Sequence, residues 1–196
     1  LWDGHDAGAA LIVDGTIAAA VNEERLTRRK LEVSFPVNAI RICCQLAGIR
    51  AEEVDVVATC TSDVAKTLAR AFPATKEAYY QIRRRKAAPG RLAALQKRAK
   101  YLITEWPPNA ATRALSATLL RRASRGAGLT RARLRVYDHH ACHAVAAATA
   151  SGFDDCAVLT IDGVGDGLSA TVSTFTNGRI ERIAETPARD SLGVFF

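Results

Sequence analysis

The sequence predicts an α/β protein made of two similar lobes, and three observations lead to this prediction. First, two apolar runs at 9–13 and 16–21 are joined by Asp14-Gly15, a strong short-range signal of a β-hairpin. Second, a helical pattern and another short apolar run follow, so the element order is strand, strand, helix, strand. Third, a hairpin pattern with an Asn177-Gly178 turn recurs near the end of the chain.

The rest of the first lobe follows from apolar spacing. After Phe35-Pro36, apolar residues recur at positions 37, 40, 44 and 47 and stop at Gly48. This spacing predicts an amphipathic helix that ends on a C-terminal glycine. The Val-rich run at 54–58 then predicts a short buried strand.

A glycine motif occurs once in each predicted lobe. Asp3-Gly4-x-x-x-Gly8 precedes the first hairpin, and Asp162-Gly163-x-x-x-Gly167 leads from a strand at 157–161 into strands at 168–175 and 179–184. Glycine lets a backbone turn sharply and approach a ligand closely. Either motif alone is equally compatible with a purely structural turn. Together they predict duplicated ribonuclease-H-like lobes, as in actin-like ATPase folds, whose two loops face one cleft.

Basic residues are concentrated in the middle of the chain. Sixteen of the 27 Lys and Arg residues fall in 76–135, with only Glu77 and Glu105 of the 20 acidic ones. The Ala- and Leu-rich composition favours short helices with basic faces. We interpret the segment as a solvated helical insertion rather than a nucleic-acid site, because it has few aromatic residues for base stacking. The predicted first lobe is therefore 1–152 with this insertion, and 153–196 begins an incomplete second lobe.

Composition excludes several classes of protein. The 48% apolar and 24% charged residues are typical of a globular domain, and no stretch reaches the roughly 20 apolar residues of a membrane span. Five cysteines without a CxxC pair indicate neither a disulfide framework nor a zinc knuckle, and favour a reducing cytoplasm. Since the chain has no Met, we expect an internal segment of a longer protein.

The strongest chemical signal is a histidine cluster. Asp138 is a plausible N-cap for an Ala-rich helix that ends at Gly152. His139 and His143 then lie one turn apart on one face, which suits two imidazoles on one metal ion, and His140 points elsewhere. Asp162 can return a carboxylate to the same place. Two imidazoles and a carboxylate with open positions are typical of a catalytic metal site.

Six segments together resemble a known family. GHDAGAALIVDG, NEERLTRRK, SFPVNAI, DHHACHA, TIDGVGDGLSATV and SLGVFF are similar to the N-terminal, actin-like domain of O-carbamoyltransferases of the nodulation-factor and antibiotic-tailoring type. The resemblance implies that ATP and carbamoyl phosphate give a carbamoyladenylate. The carbamoyl group then passes to a hydroxyl of a sugar or natural product at a metal site, with Fe(II) as the expected ion. A C-terminal YrdC-like domain of the same parent chain is the implied partner.

The resemblance also implies roles for individual residues. The metal ligands would be His139, His143 and Asp162, with a further carboxylate beyond residue 196. His5 would be the general base for the acceptor alcohol, and Asp6 could fix its tautomer. Cofactor contacts would come from the second glycine loop and from a basic run that is equally compatible with a solvated surface: Gly163, Gly165, Gly167, Arg25 and Lys30.

Two other functions stay open. A tRNA threonylcarbamoyladenosine-type modification subunit would share the histidine pair, and the basic segment would then bind RNA. A non-catalytic metal-binding lobe is the other alternative. The carbamoyltransferase interpretation predicts a cytoplasmic enzyme with a small-molecule hydroxyl acceptor, no nucleic-acid partner and no membrane association.

Overall fold

A computed structural model describes residues 1–88, 90, 99 and 102–192 of the chain. The predicted α/β class is confirmed, because helices and small sheets alternate along the chain. The strands are β1 (Gly8–Val13), β2 (Thr16–Asn22), β3 (Val56–Cys60), β4 (Arg133–Tyr137), β5 (Asp155–Gly165), β6 (Leu168–Thr176) and β7 (Arg179–Pro187). The helices are α1 (Glu23–Thr27), α2 (Val37–Ala47), α3 (Val64–Ala71), α4 (Pro73–Arg83), α5 (Ala110–Gly126) and α6 (His139–Ser151).

The described residues group into two compact units. The first comprises the described parts of Leu1–Thr59, Leu68–Arg91 and Leu115–Val136. The second comprises those of Cys60–Thr67, Leu92–Ala114 and Tyr137–Phe196. The units are defined by contacts in space, whereas the predicted lobes 1–152 and 153–196 are continuous stretches of sequence. The duplication of lobes stays a prediction.

The first unit is built on the predicted hairpin and helix. β1 and β2 pair antiparallel around Asp14-Gly15, whose φ angles of 48° and 78° are those of a tight two-residue hairpin turn. The buried face of α2, including Ile40 and Cys43, packs on this hairpin. α2 ends at Gly48 with φ 68°, as its sequence predicts. The carboxylate of Glu23 accepts hydrogen bonds from the N–H groups of the first turn of α2.

The second unit is a three-stranded antiparallel sheet with one helix on it. β5, β6 and β7 are neighbours in chain order and are joined by two-residue turns at Asp166-Gly167 and Asn177-Gly178. Ala144 and Ala148 of α6 pack against Val158 and Phe175 on one face of the sheet. On β5, Leu159 and Ile161 alternate with the buried residues and are 62% and 61% exposed.

The second glycine motif differs from its prediction. Instead of ending at residue 161, β5 continues to Gly165 and pairs there with Leu168. The register shifts between Ile161 and Gly165, so residues 162–164 form an irregular part of the strand rather than an open loop. A bulge of this kind re-aims side chains at the end of a strand, and here it contains Asp162.

The basic segment contains helices, as its composition predicts. α4 begins at Pro73, and α5, which has 17 residues, begins shortly after Pro108. Residues 89, 91–98 and 100–101 of the predicted insertion lie outside the described residues, as do residues 193–196 of the SLGVFF segment. None of the described helices combines the length and apolar character needed to cross a membrane.

Candidate metal centre

The first two turns of α6 carry both histidines of the candidate centre. Asp138 is the N-cap and accepts a hydrogen bond from Ala141 N at 2.7 Å, which satisfies one of the free N–H groups at the helix start. His139 and His143 follow on one face of the helix, with their Nε2 atoms 3.1 Å apart. The two rings meet edge to face with centroids 4.7 Å apart, so the histidines lie on one face as their spacing predicts.

Asp162 brings a carboxylate to the two imidazoles. Its Oδ2 atom lies 2.6 Å from Nε2 of His139 and 3.8 Å from Nε2 of His143. One donor atom of each residue lies within 4.8 Å of the other two. The N–H of Gly163 donates to Oδ1 at 2.6 Å and orients the carboxylate. The bulge in β5 therefore aims Asp162 at the helix face that carries both histidines.

Charges at this site reinforce one another. The hydrogen bond from His139 lowers the pKa of Asp162 to about 2, although burial acts in the opposite direction. Burial by itself would lower the pKa of His139, but its hydrogen bonds with Asp162 and Cys60 outweigh burial and raise this pKa to about 10. The site thus stabilises an ionised carboxylate beside a positive charge. A divalent cation could take the place of the proton that the two side chains share.

Gly165 lies against the ring of His139. A Cβ atom at residue 165 would lie 2.0 Å from Cδ2 and 2.3 Å from Cγ of that imidazole, far inside van der Waals contact. At Gly163 a Cβ would have no heavy atom within 4 Å, and Gly167 has a φ of 84° in the turn. The three predicted cofactor glycines therefore play different structural parts, and Gly165 makes room for a candidate metal ligand.

His140 points away from the centre, as its position on the helix predicts. It is fully buried, with Nδ1 2.8 Å from Thr160 Oγ1 and Nε2 3.2 Å from the Leu168 carbonyl oxygen. Burial lowers its pKa, so the neutral ring donates from Nε2 to Leu168 and accepts at Nδ1. His140 ties α6 to β5 and β6.

Sequence reasoning missed a buried carboxylate at this site. Asp166 accepts hydrogen bonds from His139 N at 2.9 Å and from Ser62 N at 3.2 Å. Burial raises its pKa. It therefore holds the start of α6 and the segment after β3 with one side chain. The second Asp-Gly pair in DGVGDG is the signal that the sequence offers, since the glycine motif includes Gly167 but not Asp166.

The segment after β3 also reaches His139. Thr61 Oγ1 lies 3.2 Å from Nδ1 of His139, and Cys60 hydrogen-bonds with Cys142 and with His139. The hydrogen bond from Cys142 lowers the pKa of Cys60. None of the five cysteines is in a disulfide. Nothing in the sequence links residues 60–61 to a helix 78 positions later, so periodicity could not find this contact.

The predicted base lies in the first glycine loop, within the first unit. Nδ1 of His5 is 2.9 Å from Asp6 Oδ2, and both side chains are largely exposed. The Trp2 indole N–H donates to the His5 carbonyl oxygen at 2.7 Å and fixes the loop backbone. The expected contact between His5 and Asp6 is present, and the role of His5 as a base stays a prediction.

The predicted phosphate-binding run also belongs to the first unit. Arg25 is exposed on α1. Lys30 Nζ donates to Glu24 Oε1 at 2.9 Å, and its side chain is 83% exposed. Both cations are therefore accessible to an anion, and their part in nucleotide binding stays a prediction.

Comparison with known proteins decides the family. Residues 3–196 match the family described as carbamoyltransferase N-terminus. The chain belongs to this carbamoyltransferase family. The resemblance stated on six sequence segments is thereby confirmed, and the carbamoyltransferase match includes all three residues of the candidate metal centre.

Individual relatives agree with this assignment. The chain is 29% identical over 192 residues to Nodulation protein NolNO of Sinorhizobium fredii (strain NBRC 101917 / NGR234), covering 98% of the chain and 24% of that protein. It is 30% identical over 196 residues to the uncharacterized protein sll1178 of Synechocystis sp., covering 98% of the chain and 29% of that protein. Nodulation protein NolO of Bradyrhizobium diazoefficiens is 39% identical over 59 residues, which are 30% of the chain and 11% of that protein. This carbamoyltransferase chain thus spans about a quarter of the length of NolNO and sll1178.

Proposed function

We propose that the full-length protein containing this chain is an O-carbamoyltransferase that uses ATP and carbamoyl phosphate. It transfers the carbamoyl group of a carbamoyladenylate to a hydroxyl of a sugar or natural product. The observation that supports this most directly is the convergence of His139, His143 and Asp162 within 4.8 Å in a chain of the carbamoyltransferase family. Membership of the family supports the carbamoyl-transfer activity, and the three side chains are the proposed site of that transfer.

The donor set fits a divalent transition metal, and we propose Fe(II). Two imidazole nitrogens and one carboxylate oxygen suit such an ion and leave positions open for substrate. When bound, the ion would polarise the carbamoyl carbonyl and stabilise the negative charge that develops on its oxygen. Asp162 contributes a carboxylate that is already ionised, since its pKa is about 2. His139 and His143 offer Nε2 atoms that already face this carboxylate.

The remaining predicted residues complete the proposed reaction. The acceptor oxygen bonds to the carbamoyl carbon, the bond from that carbon to the adenylate oxygen breaks, and AMP leaves. We assign the proton of the acceptor alcohol to His5, whose Nδ1 is oriented by Asp6. The nucleotide would contact the second glycine motif and the basic run, namely Gly163, Gly165, Gly167, Arg25 and Lys30.

The proposal extends to the organisation of the full-length protein. The carbamoyltransferase resemblance implies paired actin-like lobes, with 1–152 as the first lobe and 153–196 as the start of the second. It also implies a YrdC-like domain that forms the adenylate, and a cytoplasmic location. The hairpins that follow Asp3 and Asp162 agree with duplication. Their aspartates differ, because Asp3 is buried against Arg70 at 2.8 Å, whereas Asp162 faces the histidines.

Separating the two half-reactions tests this proposal. In the full-length protein, His139→Ala and Asp162→Asn are expected to lose bound Fe(II) and carbamoyl transfer, while ATP- and carbamoyl-phosphate-dependent adenylate formation continues. Asp14→Asn is a matched control, because it removes a carboxylate from an exposed hairpin turn whose φ of 48° Asn tolerates. Metal content, adenylate and carbamoylated product are measured separately.

Two outcomes would contradict the proposal. Loss of adenylate formation together with transfer would place the candidate centre in the first step. Modification of tRNA in place of a small alcohol would favour the second candidate function, a tRNA threonylcarbamoyladenosine-type subunit. Nine exposed arginines in the described part of the basic segment support that candidate: Arg83, Arg85, Arg113, Arg121, Arg122, Arg125, Arg131, Arg133 and Arg135. Its RNA affinity would then fall steeply with salt.

A further inference from the structure

Thr61 has a backbone conformation that its residue type disfavours. Its φ angle is 72°, in the left-handed region where a β-branched residue is a genuine outlier. The residue is 3% exposed, so solvent does not explain the conformation. Strained residues of this kind persist only where the surrounding structure imposes them, and they are concentrated at functional sites.

Hydrogen bonds on both sides of Thr61 impose this conformation. Its own N–H donates to the Tyr137 carbonyl oxygen at 3.0 Å, directly before the N-cap of α6. The next N–H, that of Ser62, donates to Asp166, whose other oxygen accepts from His139 N. The backbone is thus held to Tyr137 directly and to His139 through Asp166, on either side of the N-cap of α6. A left-handed residue between these two bonds turns the Thr61 side chain toward the helix.

The strained conformation places a hydroxyl on a candidate ligand. Thr61 Oγ1 lies 3.2 Å from Nδ1 of His139, and the other ring nitrogen, Nε2, lies 2.6 Å from Asp162. Nδ1 therefore faces a hydroxyl, while Nε2 faces Asp162 and His143. A hydrogen bond at the second nitrogen is what fixes the tautomer and the ring orientation of a metal-binding histidine.

We propose that Thr61 is a positioning residue of the candidate metal centre, whose hydroxyl oxygen accepts a hydrogen bond from Nδ1–H of His139 and so directs Nε2 to the metal. This inference rests on the proposed function only in so far as it takes the centre to bind metal. The hydrogen bond between Thr61 and His139 does not depend on that function. Cys60 also hydrogen-bonds with His139, so the experiment must distinguish the hydroxyl of Thr61 from that thiol.

Three substitutions of Thr61 in the full-length protein separate the hydroxyl from the strain. Thr61→Ser keeps the hydroxyl, Thr61→Val keeps the branched shape without it, and Thr61→Gly removes both the hydroxyl and the strain. We expect Fe²⁺ affinity, measured anaerobically by chelator competition, to stay near the wild-type value for Ser. Affinity should fall about tenfold to a hundredfold for Val and Gly, the usual cost of losing an outer partner of a metal-binding histidine.

The glycine variant distinguishes positioning from simple structural support. Because glycine accepts a φ of 72° without strain, the melting temperature of metal-free Thr61→Gly should equal or exceed that of the wild type while its Fe²⁺ affinity falls. A merely structural residue would lower both together. Thr67→Val is the matched control, since it removes a buried hydroxyl that bonds to the Asp63 carbonyl oxygen, and its Fe²⁺ affinity should not change.

A spectroscopic readout tests the contact without metal. In protein labelled with ¹⁵N-histidine, the Nδ1 proton of His139 should exchange slowly in the wild type and in Thr61→Ser, and rapidly in Thr61→Val. The Nε2 proton of His140, bonded to Leu168, is the internal reference and should not change. Retention of the slow His139 signal in Thr61→Val with its loss in Cys60→Ala would overturn the inference in favour of the thiol.

Failure of this inference and failure of the proposed function give different results. If the wild type binds no Fe²⁺, the proposed metal centre is wrong, yet the exchange of the His139 Nδ1 proton still tests the Thr61 contact. If the wild type binds Fe²⁺ and both Thr61→Val and Thr61→Gly bind it equally tightly, the positioning role is wrong and the metal centre stands.

Discussion

Residue 165 must be glycine because the ring of His139 lies against it. Since a Cβ there would lie 2.0 Å from the His139 ring, Gly165→Ala must displace the imidazole or the strand. We expect Fe²⁺ affinity to fall about tenfold or more, as for other changes that misorient a ligand. Gly163→Ala is the matched control, because a Cβ there meets nothing within 4 Å, and it should bind Fe²⁺ normally. Equal affinity of both variants, measured by chelator competition, would contradict this role of Gly165.

Individual residues also show how far sequence reasoning reaches. The helical spacing of His139 and His143 determines that their rings lie on one face, so the pair could be predicted. Asp162 could be proposed because it directly follows the strand that the sequence predicts at 157–161. The contact of Thr61 with His139 could not be predicted, because the two residues are 78 positions apart in the sequence and no local pattern connects them.

The connection between α1 and α2 contains a buried carboxylate, Glu32, whose ionisation should make the free energy of unfolding depend on pH. Glu32 is 2% exposed, and its Oε1 accepts hydrogen bonds from Val33 N at 2.9 Å and Ser34 N at 3.2 Å. Burial would raise its pKa, but these bonds and the nearby charge of Arg29 outweigh burial and lower the pKa.

The sign of this pH dependence follows from the lowered pKa. A carboxyl with a lower pKa in the folded state stabilises the fold fully above its unfolded pKa of about 4.3 and loses that contribution as pH falls through the folded value. Glu32→Gln should therefore reduce the free energy of unfolding at pH 7, and the difference from wild type should shrink below about pH 4. Urea unfolding across this range measures it, and a difference that is independent of pH would contradict the prediction.

Among the elements, those defined by local signals were predicted best. The hairpin at Asp14-Gly15, helix α2 ending at Gly48, and helix α6 between Asp138 and Gly152 all form where their caps and turns predict. The end of β5 was predicted four residues too early, because Asp162-Gly163 was interpreted as a turn. In the structure the turn is Asp166-Gly167, and the first Asp-Gly pair lies in a bulge that no local propensity specifies.

At the scale of the whole chain, the sheet of the second unit exposes an apolar surface. Leu159 and Ile161 are 62% and 61% exposed on β5, and contiguous exposed apolar residues favour association. We expect the 196-residue chain, produced alone, to self-associate in sedimentation experiments, and Leu159→Lys with Ile161→Lys to reduce this association. Ile17→Lys is the control, since Ile17 is also 68% exposed but lies on the hairpin of the first unit. An unchanged monomer in all cases would show that this face does not drive association.

The order of β5, β6 and β7 along the chain has a consequence for the time course of folding. Each strand pairs with its neighbour across a two-residue turn, and hairpins of this kind form within microseconds. His139 and Asp162 are only 23 residues apart, so the loop that must close to bring them together is short and its entropic cost is small. Most of the candidate centre can therefore assemble from one continuous stretch of nascent chain. Thr61, synthesised much earlier, must wait for that stretch to emerge before its hydroxyl has a partner.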